Sequence, residues 1–326
     1  MDVIANVTVG YLEKYGLQTN KAILAGLEHM SIFSELQTQF KPVLQPGGSV
    51  QNSMRVAQWL LQEKNSTAII GAIGDDHFGS ELSRILQSEG VTPYYQKTST
   101  ASTGTCAVLV QDKDRALVSS PGAARTYHVS HLKAIWPTVT AAEMYMSSCF
   151  FFRSSLDSLW EVANYAVAND KPFALNLAST PLIHVYKETI LAMFPACDYV
   201  FCNESEAQTF SKLTGHGTFE VKQLALEIAN FPKTTTRPRV VVITRGAQDT
   251  IVAFQGSVYS FPVSKIPHNE IVDKNGAGDA FAGGFLAGAL KGKSVEGCVE
   301  AGNYAAGEII QQSGCSLPKH LPRLVL

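Results

Sequence analysis

One stretch of the chain reads Ile271-Val272-Asp273-Lys274-Asn275-Gly276-Ala277-Gly278-Asp279-Ala280-Phe281-Ala282-Gly283-Gly284-Phe285. An apolar, β-branched lead-in passes into a glycine turn, and Phe281, Phe285 and Leu286 then recur as on one helical face. A loop opening a helix is expected. At such a helix start the N–H groups of Gly276, Ala277 and Gly278 have no intrahelical partners, and the helix dipole adds to their attraction for an anion. Asp279 beside them does not suit simple anion binding, because its carboxylate repels a phosphate. It suits the acceptance of a proton from a hydroxyl that attacks the phosphate. For the glycine turn and Asp279 taken alone, a tight helix start with the acid near the cap is the alternative.

A second stretch, Pro46-Gly47-Gly48-Ser49-Val50-Gln51-Asn52-Ser53, runs into residues 54–61, which have the pattern of an amphipathic helix. Gly47 and Gly48 let a substrate lie against the backbone, and Asn52 offers both a donor and an acceptor. A plain turn with Ser49 as N-cap accounts for these residues almost as well. In a third stretch, Tyr199-Val200-Phe201-Cys202-Asn203 reads as a strand and Glu204 and Glu206 open a helix, where acids are ordinary dipole partners. Asp75 and Asp76 follow a buried strand, Ala68–Gly74, and are read as a turn and helix cap rather than a metal pair.

These groups need a frame to hold them. Strand-like and helical patterns alternate through most of the 326 residues without an internal repeat, which argues an α/β fold with a mainly parallel central sheet and, most simply, one layered domain over residues 1–326. Core strands are expected at residues 144–152, 173–178, 199–203 and 239–245, with a helix over Leu156–Ala168 and a hairpin over 250–261. Residues 104–110 and 116–120 form another hairpin, turning across residues 111–115. An apolar content of 45% is enough for a full core, and a formal net charge of −2 with no long like-charge block leaves no footprint for nucleic acid or an anionic membrane. Small-molecule partners and a monomer are expected. The N-terminus carries an acid where a signal peptide has basic residues, and no apolar run approaches membrane-spanning length, so a cytoplasmic protein is expected, with the nucleus left open. Six scattered cysteines without a C-x-x-C pair read as reduced thiols, Cys197 and Cys202 among them as core residues. His128 and His131 read as a solvent-facing helical pair.

The glycine turn, the acid at its fixed offset and the Ala280-Phe281-Ala282-Gly283-Gly284-Phe285 run together resemble the signature of the ribokinase-like (PfkB) carbohydrate and nucleoside kinases. Gly47, Gly48 and Asn52 match that family's Gly-Gly-x-x-x-Asn, Asn203 and Glu206 its Asn-x-x-Glu, and Thr244 and Gly246 its Thr-x-Gly, all in the family's order from Asp2 to Pro318. Residues 11–17, 47–53 with 56–59, 103–107, 186–188 and 314–318 are most similar to the branch that phosphorylates adenosine.

The resemblance implies a three-layer α/β/α domain with a small β-sheet lid built from roughly residues 5–50 and 103–122. It implies that ATP and adenosine, or a related nucleoside, give ADP and AMP, with Mg2+ as cofactor. Asp279 is then the base, the amides of Gly276, Ala277 and Gly278 stabilise the moving phosphoryl group, and Arg115 reaches the transferred phosphate. Asp2, Gly47, Gly48 and Asn52 hold the ribose. Leu24 with Phe150 or Phe151 lines the base pocket. Asn203, Thr244, Gly246, Asn275 and Asn303 border the nucleotide, and Asn203 and Glu206 hold magnesium through water.

The chain also departs from the branch. Its first strand is short, Lys274 replaces a frequent threonine, residues 119–125 replace an Asn-rich stretch, Cys149 stands at a usual glycine and Asn303 at a common histidine. A kinase for another nucleoside or a sugar therefore stays open, as does a catalytically weak nucleoside-binding relative.

Overall fold

The computed structural model describes residues 1–19, 21–111, 114–215, 217 and 220–326. They fall into two compact units, residues 1–51 with 64–127 and residues 52–63 with 128–326.

The first unit runs β1 (Asp2–Asn6), α1 (Val9–Lys14), β2 (Lys21–Leu24), α2 (Met30–Gln39), β3 (Val43–Gln45), the opening turn of α3 (Ser49–Leu61), β4 (Ala68–Gly74), α4 (His77–Ser88), β5 (Thr92–Thr98), β6 (Thr105–Gln111) and β7 (Asp114–Ser120). Five strands make a mixed sheet in the order β2-β7-β6-β1-β3, and β4 and β5 form a separate parallel pair. The hairpin β6–β7 thus shares a sheet with strands from the first fifty residues. Leu12, Ile32 and Leu36 of α1 and α2 pack on Ala107, Leu109 and Val118, and the same core takes in Ile73, Leu82 and Leu86. Asp76 caps α4 by accepting from the Gly79 N–H at 2.8 Å, and also takes the Thr103 N–H and hydroxyl at 2.7 Å each. Burial opposes its charge, yet these bonds hold the carboxyl below its usual range, as a cap requires. Gln111 and Asp114 face each other as the last described pair of the hairpin, and the expected turn positions 112 and 113 lie outside the described residues. Arg115, expected in that turn, instead sits in β7 opposite Val110, because the strand pairing continues to the last described residue on each side.

The second unit takes the rest of α3, then α5 (Val129–Ala134), α6 (Trp136–Ala141), β8 (Tyr145–Ser148), α7 (Leu156–Ala168), β9 (Phe173–Asn176), α8 (Thr180–Met193), β10 (Tyr199–Asn203), α9 (Glu204–Leu213), α10 (Val221–Ala229), β11 (Val240–Arg245), β12 (Gln248–Phe254), β13 (Ser257–Phe261), α11 (Ala277–Leu290) and α12 (Val295–Ile309). Its sheet has the order β13-β12-β11-β10-β9-β8, parallel from β8 to β11, with β12 and β13 added antiparallel. β-branched runs such as Val240-Val241-Val242-Ile243 suit strands buried on both faces. On one face Phe201, Val240 and Val242 meet Phe281 and Phe285 of α11. Alternation turns Val200, Cys202, Val241 and Ile243 to the other face, where α9 and α10 lie, so this unit has three layers. Cys197 and Cys202 are buried, free core thiols. His128 is the exposed N-cap of α5 and His131 lies within that helix.

Small residues let α11 approach its neighbours closely. A β-carbon on Gly284 would fall 2.5 Å from Ala301 O of α12, and one on Gly283 would collide with Ser53 O of α3. The amphipathic pattern of α3 does not leave a solvent-facing stripe: Asn52, Ser53, Arg55 and Gln58 are all buried. Asn52 Nδ2, the Ser53 hydroxyl, Arg55 Nη1 and Gln58 Nε2 each find an acceptor in the protein.

Candidate active site

In the second unit the singled-out residues gather at the carboxyl ends of the parallel strands, the edge at which open α/β sheets bind ligands. Phe150 and Phe151 follow β8 in a single 3-10 turn, Cys149–Arg153, rather than extending the strand. Phe150 is 49% exposed, whereas Phe152 is buried edge-on against Tyr186. Asn203 ends β10 in register with Thr244 of β11, and Gly246 follows in the left-handed conformation with φ +63°.

Residues 271–279 fold as expected into a loop that starts a helix. Gly276 is the N-cap of α11 with φ +78°, a conformation that favours glycine. A β-carbon on Gly278 would meet nothing within 4 Å, so this backbone lies open to a ligand. The Ala277 N–H differs from expectation: it closes a turn on Lys274 O at 3.3 Å and is not a free donor, because the loop tightens as it enters the helix. Asp279 occupies the first turn, and Asn52 Nδ2 donates to its Oδ2 at 3.1 Å. The Ser53 hydroxyl donates to the main-chain oxygen of Asp279 at 2.8 Å. Asn52 is 7% exposed, and its Oδ1 has no hydrogen-bond partner among the described residues. A buried acceptor of that kind beside a carboxylate is suited to a hydroxyl donor from a ligand.

The loop is braced by Asp273, to which the sequence pattern assigned no role. It is 6% exposed, takes the Asn275 N–H on Oδ1 at 3.0 Å and the Gly314 N–H on Oδ2 at 2.7 Å. The available signal was an acid two residues ahead of an exposed asparagine in a glycine turn, the setting of an Asx turn.

Asn203 and Glu206 form a reciprocal cap on α9. Asn203 Oδ1 accepts from the Glu206 N–H at 2.9 Å, while Glu206 takes the Asn203 N–H at 2.9 Å and its Nδ2 at 2.8 Å. Burial raises the Glu206 carboxyl above its usual range, the Asn203 bonds oppose the shift, and the negative charge of Asp279 adds to it. Two carboxylates that repel one another suit a hard cation. Among the described residues no group of three or more His, Cys, Asp or Glu is placed to hold a metal ion. Thr244 lies half-buried, its hydroxyl 3.5 Å from Cys202 O, and Asn303 accepts from Thr250 at 3.2 Å.

The remaining residues belong to the first unit. The Asp2 carboxylate lies directly over Gly47, where any β-carbon would collide with it, and Gly48 has φ +110°. Gln51 Nε2 holds Gly47 O at 2.8 Å and Gln51 Oε1 accepts from the Tyr95 hydroxyl, so the glycine turn is fixed from β5. Leu24 ends β2 and is 50% exposed. Arg115 is half-buried on β7.

A three-layer parallel-sheet unit, a glycine turn at a helix start and an acid in that helix's first turn define a class of phosphoryl-transfer enzymes. Residues 9–322 match the family described as pfkB family carbohydrate kinase, and the chain belongs to it. It is 40% identical to adenosine kinase 2 of Arabidopsis thaliana over 98% of this chain and 93% of that protein. Among solved structures, Anopheles gambiae adenosine kinase in complex with P1,P4-di(adenosine-5) tetraphosphate is 38% identical with a TM-score of 0.89, covering 96% of this chain and 94% of that one. Adenosine kinase from Schistosoma mansoni in complex with 2-fluoroadenosine is 30% identical with a TM-score of 0.90, covering 98% and 94%. Among the described residues no helix is long and apolar enough to cross a membrane.

Proposed function

We propose that the chain transfers the γ-phosphoryl group of ATP to the ribose 5′-hydroxyl of adenosine, giving AMP and ADP. The observation that carries this reading is the pair Asn52–Asp279 at the first turn of α11: a carboxylate held by an amide whose own buried oxygen awaits a donor, next to open glycine backbone. The full-length likeness to proteins named adenosine kinase supports the substrate.

In the reaction, the Asp279 carboxylate takes the proton of the 5′-hydroxyl as its oxygen bonds to the γ-phosphorus, and the bond to the β-phosphate oxygen breaks. Asn52 keeps one carboxylate oxygen in place, so the base is aimed before substrate arrives, which lowers the cost of reorganisation in the transition state. The Gly276 and Gly278 amides and the start of the α11 dipole offset negative charge on the transferred group. Asn203 and Glu206 are the residues that would hold magnesium through water, and the ion would supply positive charge against the phosphates. Asp2, Gly47 and Gly48 are assigned to ribose, Leu24, Phe150 and Phe151 to the base, Arg115 to the transferred phosphate, and Asn275, Thr244, Gly246 and Asn303 to the nucleotide.

Initial-rate assays with ATP and magnesium, with ribose, fructose and inosine competing against adenosine, test the proposal. Adenosine is expected to be phosphorylated at the 5′ position in preference to all three. Preferred turnover of ribose or fructose would overturn the nucleoside assignment, and adenosine binding without turnover of any acceptor would overturn the enzymatic one.

A further inference from the structure

Arg55 lies one helical turn beyond Asn52 on α3 and is 2% exposed, yet the chemistry above gives it no task. Its Nη1 donates to Cys315 O at 2.8 Å. Cys315 in turn packs against the N-cap of α11: a β-carbon on Gly276 would come 2.9 Å from Cys315 Cβ and 3.2 Å from its Sγ. The neighbouring Gly314 N–H is bound by Asp273, which also holds the Asn275 N–H just ahead of Gly276. Residues 314 and 315 therefore touch the glycine turn at two points, and Arg55 ties them to the helix that presents Asn52 and Ser53 to Asp279.

We infer that Arg55 is a positioning residue for phosphoryl transfer, acting through Cys315 to hold Gly276 in its left-handed conformation at the start of α11. The inference rests on residues 276–279 being the reacting turn. A guanidinium suits the task because it is charged at every working pH and gives a strong, directional bond to a carbonyl oxygen. Gly276 has no side chain with which to hold its own place, so the wall supplied by Cys315 limits its movement. A displaced amide stabilises a ground-state phosphate almost as well but loses the alignment that the transition state requires.

The test is the kinetics of Arg55→Met on adenosine and ATP, normalised to the folded fraction. The inference expects kcat to fall about 10- to 100-fold, on the scale of a misaligned anion-hole donor, while KM for adenosine moves less than about 3-fold. Arg55→Lys, which keeps a charged donor, is expected to recover most of the lost kcat. Gly276→Ala combined with Arg55→Met is expected to cost at least about 5-fold less than the product of the single losses, since both disturb one turn. If Arg55→Met does not fold, Arg55→Gln, a shorter side chain with a neutral donor, carries the same comparison. An unchanged kcat per folded molecule, or fully additive losses, would overturn the inference. Asp279→Asn is the separate control: if it turns over normally, the assignment of the reacting turn falls whatever the Arg55 variants show.

Discussion

Replacing Asn52 by leucine, which has the same branched shape, would remove both of its hydrogen-bonding functions and separate them by substrate. The donor reaches Asp279 at 3.1 Å, and a hydrogen bond to a charged group contributes about 1.5–3 kcal/mol, or roughly 10- to 150-fold in kcat/KM. The acceptor Oδ1, if it takes a ribose hydroxyl, contributes about 0.5–1.5 kcal/mol more, or roughly 2- to 12-fold. Initial rates on adenosine, 2′-deoxyadenosine and 3′-deoxyadenosine distinguish the two. The donor loss should affect all three substrates equally, and the acceptor loss should be missing for the analogue that lacks the bonded hydroxyl. Asn52→Asp complements this by keeping an acceptor and setting a second carboxylate against Asp279. At the present separation of 3.1 Å and an effective dielectric constant near 20, their repulsion is about 5 kcal/mol, so the pair retains a proton. Raising the pH removes that proton and frees the base, so the acid limb of the rate profile should move upward by about 4 pH units relative to the unmodified enzyme. Leucine and aspartate variants with unaltered kcat/KM and an unmoved acid limb would refute the placement of Asn52 against the working base.

Glu206→Gln should keep an acceptor for the Asn203 N–H in the cap on α9, losing the one for Asn203 Nδ2, while removing a charge that burial disfavours. A carboxyl raised on folding contributes stability that is full below its unfolded pKa of about 4.3 and is lost as pH rises through the folded value, so the glutamine variant should unfold at a higher temperature at neutral pH, with the gain vanishing below about pH 4. The same variant should need more magnesium for half-maximal activity; unchanged stability and magnesium dependence would argue against both statements. Gly283→Ala places a methyl on Ser53 O and must push α11 from α3, so thermal unfolding should show a loss of about 1–3 kcal/mol together with a lower kcat, and a neutral effect on both would contradict the close packing.

Much of this was legible in local pattern. Val240–Arg245 and Tyr199–Asn203 are apolar runs that end at polar turn residues, and Leu156–Ala168 has a serine cap ahead of a periodic apolar face. β5 was not legible, because Thr92-Pro93-Tyr94-Tyr95 has a proline at its second position and its residues are half-buried without alternation; pairing with β4 makes it a strand. The reacting residues were readable because glycine and acid fall within four positions of each other. The groups that hold them were not. Arg55 meets Cys315 across 260 positions and Ser53 meets Asp279 across 226, distances over which no local pattern carries information. The polar residues of α3 have the spacing of a solvated face, and only the tertiary structure shows that they are buried and bonded. The polar run around Arg115 hides where strand pairing ends, so the sequence pattern places that residue in a turn although it pairs with Val110.

The most direct test is the steady-state rate of Asp279→Asn with adenosine, ATP and magnesium, alongside calorimetric titration of adenosine. Asparagine keeps the shape of the side chain but cannot take the proton. Turnover should fall by about 10²- to 10⁴-fold while the variant remains folded and still binds adenosine. Turnover within about 3-fold of the unmodified enzyme, well short of a general base's contribution, would contradict the role of Asp279 as the base.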